Sequence, residues 1–164
     1  MQALLAAARA QYGPDARIDG LVELGPRRFG FDVLAGAERH RCILLADRDE
    51  PAARRELEIL RRVVDAGVPA PVAHWAGPEG LVLQRLDGAT GLDGFPEARR
   101  RVADDLGRAL AALRELGLEH RNLRPEHVLV DEGGLVALLG WCRARPGDGA
   151  ADQEALSRLL GRSG

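Results

Sequence analysis

The stretch HRNLRPEHVLV, His120 to Val130, gathers the side chains best placed to do chemistry. Its two histidines, His120 and His127, can hold or pass a proton near neutral pH. Asn122 offers an amide that orients but does not act as a base. Carboxylates follow at Asp131, Asp148 and Asp152, the group that binds hard cations such as magnesium. Nearer the N-terminus, LGPRRFG places Gly25 and Gly30 at a spacing that lets backbone approach a phosphate, but Arg27 occupies the middle position, where a side chain obstructs that approach. Each feature has a plainer reading. A lone histidine with no second ligand one helical turn away is a poor metal site. Asp131 reads as a turn residue and Asp148, in PGDG, as a loop or helix-opening residue. LGPRRFG reads equally as a Gly-Pro hairpin turn.

What these residues can do depends on the elements that hold them. An amphipathic opening segment, with Leu4, Leu5 and Ala8 on one side, stops at Tyr12-Gly-Pro. GLVEL, FGFDVLAG and RHRCILLA then read as three strands of an antiparallel meander. In DRDEPAARRELEILRRVVDAG, Asp49 is the expected N-cap, Pro51 lies in the first turn, Leu57, Leu60 and Val64 share a face, and Gly67 is the stop. APVAHWAG and GLVLQRL predict two short strands. Pro96 to Leu116 predicts a long helix buried along Val102, Leu106, Leu110 and Leu113, ended by Gly117. The polar loop comes next, then VLVDEGGLVALLGW as a β-hairpin around Asp-Glu-Gly-Gly, and ADQEALSRLLG as a final helix.

With 164 residues, 46% hydrophobic and 29% charged, the chain is expected to form one soluble domain. It shows no apolar run of membrane-spanning length and no signal-peptide pattern at its start, so a cytoplasmic location is expected. Cys42 and Cys142 are too few and too far apart for a disulfide framework or a zinc site. A net charge of −2 argues against general attraction to nucleic acid or anionic lipid. The 23 basic residues are all arginine; there is no lysine.

From about Gly20 to Leu160 the order of meander, helix, two strands, long helix, polar loop, hairpin and helix resembles the protein-kinase-like fold, including its small bacterial and aminoglycoside-phosphotransferase branches. LGLEHRNLRPEHVLVDEGGLVALLGWCRARPGDGAADQEALSRLL carries most of the likeness. It is similar to the family's His-Arg-Asp-Leu-x-Pro-x-Asn-Val-Leu-Val, then Leu-Ile-Asp-Trp or Leu-Ile-Asp-Phe-Gly, then Gly-Asp and a helix-borne Asp. His120, Arg121, Leu123, Pro125, Val128, Leu129, Trp141, Gly147, Asp148 and Asp152 match this pattern. The resemblance implies an α+β fold, with a small antiparallel N-lobe sheet and one helix over about residues 18–86. A truncated helical C-lobe over 87–164 would carry the loop and hairpin, the whole forming a single domain, 1–164.

Phosphoryl transfer needs a carboxylate to accept the hydroxyl proton, oxygen ligands for magnesium and positive charge on the phosphates. By the resemblance, the catalytic aspartate falls at Asn122, and absence of a positioned general base alone removes about 10²–10⁴ in rate. The metal-binding asparagine falls at His127, a ligand for softer metals. The metal-binding aspartate falls at Gly140, and the phosphate-binding lysine falls at Leu45, on the phase of Ile43. The helix glutamate falls at Glu56, which without lysine must face water or find an arginine. No lysine elsewhere can substitute, although Arg27 or Arg28 could reach a phosphate. Only residues 142–151 separate Trp141 from Asp152, too few for an activation segment of protein-kinase length.

The expectation is a pseudokinase with no catalytic residue, no metal and no required cofactor. Glu56, His120, Arg121 and Asp152 would be structural relics, the last three pinning the loop to the core. It would act through a protein partner or as a homo-oligomer, using apolar surface exposed on Pro96 to Leu116 and Leu156 to Leu160 of a truncated C-lobe. Two alternatives stay open. One is a small ATP-dependent phosphotransferase using an arginine for phosphate and Asp131 or Asp148 for metal. The other is a magnesium-independent nucleotide-binding module, with Ile43, Leu45, Leu81 and Leu83 around an adenine and Gly25 and Gly30 completing the cleft.

Overall fold

Helix α1 (Gln2–Tyr12) opens the computed structural model, which describes residues 1–91 and 96–161. Strands β1 (Arg17–Gly25), β2 (Arg28–Ala35) and β3 (Glu38–Leu45) form the expected meander. After helix α2 (Glu50–Asp65), strands β4 (Ala73–Gly77) and β5 (Gly80–Gln84) complete a five-stranded antiparallel sheet in the order β1-β2-β3-β5-β4. One face packs under α1: Leu4 and Ala8 join Phe31, Val33, Cys42, Leu44, Trp75 and Val82 in a single cluster. Alternation along β3 decides this, because Cys42 and Leu44 point into that cluster while Ile43 and Leu45 stand half-buried on the other face.

Helix α2 begins where the sequence predicts. Asp49 Oδ1 accepts the Ala52 N–H at 2.8 Å, satisfying one of the donors left open at a helix start, while the Asp49 carbonyl accepts the Ala53 N–H at 2.9 Å as the first bond of the helix. Gly67, with φ +78°, ends the run in the left-handed conformation that glycine adopts without strain.

The chain divides into two compact units, Met1–Glu58 with Val72–Leu86, and Ile59–Pro71 with the chain from Asp87 onward. The second holds β6 (Ala89–Thr90), α3 (Arg99–Glu115), β7 (Leu118–Glu119), β8 (Val128–Asp131), β9 (Gly134–Leu138), β10 (Arg145–Pro146) and α4 (Ala150–Gly161). Strands β6, β8 and β9 form one small sheet and β7 pairs with β10. The stripe Val102, Leu106, Ala109, Leu110 and Leu113 of α3 is buried, and α3 packs on β9, β7 and α4.

That packing changes the surface expected from the sequence. The α3 stripe is covered, Leu156 is buried, and Leu159 and Leu160 are half-buried. Among the described residues, the exposed large apolar side chains are Met1, Leu21, Val22, Leu24 and Val72, all in the first unit and three of them on the edge strand β1. A helix of this length, laid between a hairpin and a following helix, finds its apolar cover within its own unit. No helix among the described residues is long and apolar enough to cross a membrane.

Candidate functional site

In the second unit, the loop between β7 and β8 is held by α4. Asp152, buried in the first turn of that helix, accepts the backbone N–H of His120 at 2.6 Å on Oδ2 and that of Arg121 at 2.8 Å on Oδ1. One carboxylate thus fixes two consecutive residues, with Arg121 at φ +62°, where a non-glycine residue persists only when its surroundings hold it. Burial lifts the Asp152 carboxyl above the usual carboxylate range, and the two N–H donors oppose that shift. Glu119, also buried, does the reciprocal work: Oε1 accepts the N–H groups of Gly149 at 3.1 Å and Ala151 at 3.3 Å, and Oε2 takes Arg121 Nη1 at 3.2 Å. The sequence reading missed Glu119, since an acid in a two-residue strand carries no motif.

On its other side the loop grips the end of the β8–β9 hairpin. His120 is fully buried, lies edge-on to Trp141 with ring centroids 4.6 Å apart, and donates Nε2–H to the Leu139 carbonyl at 2.9 Å. With Nε2 as donor, the neutral ring leaves Nδ1 as a buried acceptor without a partner. Burial brings its pKa down to about 4, so the ring is neutral at pH 7. Asn122 donates Nδ2–H to the Gly140 carbonyl at 2.8 Å. His127 donates Nδ1–H to the Asn122 carbonyl at 2.7 Å, and its own carbonyl accepts the Leu139 N–H at 2.8 Å. Three loop residues therefore converge on Leu139 and Gly140.

The structure thus brings Asn122, His127 and Gly140 into one place. Gly140 takes φ +78° and ψ 42°; a Cβ there would lie 2.9 Å from Asn122 Nδ2 and 2.9 Å from two carbons of the His127 ring. The cluster offers an amide, an imidazole and no carboxylate oxygen. Asp131 and Asp148 are engaged locally, Asp131 Oδ1 with the Gly133 N–H at 2.7 Å and Asp148 Oδ1 with the Ala150 N–H at 3.0 Å, as a turn residue and a helix-opening residue. Among the described residues, no group of three or more His, Cys, Asp or Glu is arranged to hold a metal ion.

The remaining sequence-predicted positions lie in the first unit. Gly25 pairs with Arg28 across a two-residue turn, Pro26-Arg27, with Arg27 at φ +58°. The Arg27 guanidinium donates twice to the Ala46 carbonyl, from Nε at 3.1 Å and Nη2 at 2.7 Å, while the Arg27 carbonyl accepts the Ala46 N–H. These bonds close the hairpin tip onto the residue after β3. Gly30, Ile43 and Leu83 share one row across β2, β3 and β5, and Leu45 pairs with Arg28 and Leu81 in a parallel row. Leu81 and Leu83 are buried. A Cβ on Gly30 would meet Arg85 Nη1 at 2.8 Å and Leu24 Cδ1 at 2.9 Å, so those side chains lie against Gly30. Glu56 is buried and finds the arginine its position demands: Arg48 Nε donates to Glu56 Oε2 at 3.0 Å. Burial still lifts the Glu56 carboxyl above its ordinary value, against the pull of Arg48.

An antiparallel five-stranded sheet with a helix after its third strand, then a helical unit in which a His-Arg loop and a hairpin are clasped by a helix-borne aspartate, defines the α+β kinase-like fold. Residues 43–120 match the model of the phosphotransferase enzyme family, from β3 to the first residue of the loop, so that Asn122, His127 and Gly140 lie beyond the matched stretch. No curated protein matches the chain.

Proposed function

We propose that this chain is a pseudokinase, a kinase-fold protein that transfers no phosphate and acts by binding a protein partner or a second copy of itself. The observation that carries the reading is the mutual satisfaction of Asn122, His127 and Gly140. At the three positions where the fold's chemistry calls for a base and two oxygen ligands for magnesium, the side chains are turned onto each other and onto backbone. Magnesium demands near-octahedral oxygen ligation, and an amide whose nitrogen faces the joint, an imidazole and a glycine do not fit it. Leu45 stands where the resemblance places the phosphate-binding lysine, and Arg27 is turned onto Ala46. Support for action by binding comes from Leu21, Val22 and Leu24 exposed on an edge strand, because exposed apolar edges favour pairing with another chain.

The test is a thermal-shift titration of the purified chain with ATP and ADP, each with and without magnesium. A ligand held by the native state at about 100 times its Kd adds ~2.7 kcal/mol, a shift of several degrees. No magnesium-dependent shift at millimolar nucleotide is expected. A clear one would sink the reading in favour of a phosphotransferase. A shift without magnesium that disappears in Leu83→Trp would favour a nucleotide-binding module instead.

A further inference from the structure

The bonds around residue 140 form a closed circuit. His127 Nδ1–H reaches the Asn122 carbonyl at 2.7 Å, Leu139 N–H reaches the His127 carbonyl at 2.8 Å, and Asn122 Nδ2–H reaches the Gly140 carbonyl at 2.8 Å. The circuit ties the loop to the hairpin end at two adjacent residues, with Asn122 buried at 8% exposure, so that water competes little for its bonds. A carbonyl only accepts, so His127 Nδ1 must carry the proton, and this fixes the tautomer.

Sterically, the imidazole and a side chain at position 140 exclude each other. A Cβ added to Gly140 would stand 2.9 Å from both Cδ2 and Cε1 of His127, closer than real Cβ contacts come. Those two carbons flank Nε2, so the ring offers its face rather than its edge to Gly140. Any side chain at 140 therefore requires the His127 ring and the Asn122 amide to shift from where their hydrogen bonds hold them.

We propose that the His127 imidazole is an internal lock, a positioning residue that fastens the loop to the hairpin end without any metal ion, and that residue 140 is glycine because the ring occupies its side-chain volume. The inference deepens the pseudokinase reading, on which its contrast with a metal-bridged loop rests. His127 and Gly140 are then one coupled change rather than two separate losses.

Two measurements on the full chain test it. Long-range proton–nitrogen NMR of the imidazoles, with His127 assigned by the signal lost in His127→Asn, should find the Nδ1–H tautomer in the unmodified protein at neutral pH. An Nε2–H ring or an averaging mixture of tautomers would overturn the lock. A double-mutant cycle of Gly140→Ala and His127→Ala in urea provides the second. Gly140→Ala should lower the unfolding midpoint by clearly more in the native background than in His127→Ala, because the ring resists the new Cβ only in the native background, whereas the clash with Asn122 Nδ2 and the strain from the positive φ are common to both. Equal drops would overturn the proposal. Should His127→Ala fail to fold, the tautomer decides alone. Failure of the wider reading looks different: a magnesium-dependent nucleotide shift together with a coupled cycle leaves the lock standing and removes the pseudokinase, while an additive cycle with no such shift does the reverse.

Discussion

Asp152 shows how one side chain can hold a loop in place. Its two oxygens each take a backbone N–H from consecutive residues, in a site nearly closed to water. Hydrogen bonds to a charged group contribute roughly 1.5–3 kcal/mol each, and the donors left behind add the cost of buried unpaired groups. Asp152→Ala is therefore expected to destabilise the chain by about 3 kcal/mol or more, read as a lowered urea midpoint; a loss under about 1 kcal/mol would show that water replaces the carboxylate. The histidines set a pH dependence. Burial brings His74 and His120 down to about 4 each, whereas in the unfolded chain histidine titrates near 6.5. Between these values the unfolded state holds the extra protons, so their contribution is complete above about 6.5 and is lost as the pH falls toward 4. Glu56 and Asp152, both raised by burial, act in the opposite sense, since the folded state takes up their protons first. In urea titrations between pH 5 and pH 7, His74→Gln should flatten the stability-versus-pH slope by up to one proton; an unchanged slope would refute the assignment to His74.

At the scale of elements, local signals and packing agree for the helices. The Asp49 cap was legible because a helix start leaves open donors that a short acidic side chain can reach, and the structure has that bond. Asp49→Ala should cost about 1 kcal/mol, measured by chemical denaturation. Leu106, fully buried on α3, should cost about 2–5 kcal/mol as Leu106→Ala, because deletion leaves a cavity as well as lost transfer energy. The meander was legible from strand-like runs between Gly and Pro signals, and its turns set the pairs β1–β2 and β2–β3. Two things were not. Nothing in DRDE announces that Arg48 turns back onto Glu56, since an ion pair between a loop and a helix depends on the path of the chain between them. Nor does the period of α4 show that Leu159 and Leu160 are half-covered, which depends on where α3 lies.

For the whole molecule, the exposed apolar residues are where the proposed association is expected. Val22 at 48% and Leu24 at 50% exposure lie on β1, which has a neighbour on one side only. Sedimentation velocity at rising concentration should show self-association that Val22→Lys with Leu24→Lys removes while leaving the unfolding midpoint nearly unchanged; a monomer at every concentration would leave only a different protein as partner.

The sequence by itself determined the α+β class, the order of the main elements and the absence of any lysine, and through its resemblance it put Leu45, Asn122, His127 and Gly140 at the positions expected to be reactive. Residue types and short periods are local, and a helix cap or a strand's alternation needs no distant partner. Only the tertiary structure decided what these residues touch. Residues 122, 127 and 140 meet because a loop and a hairpin end fold onto each other, and hydrogen bonding and excluded volume at about 3 Å act between side chains whose separation the chain order does not state.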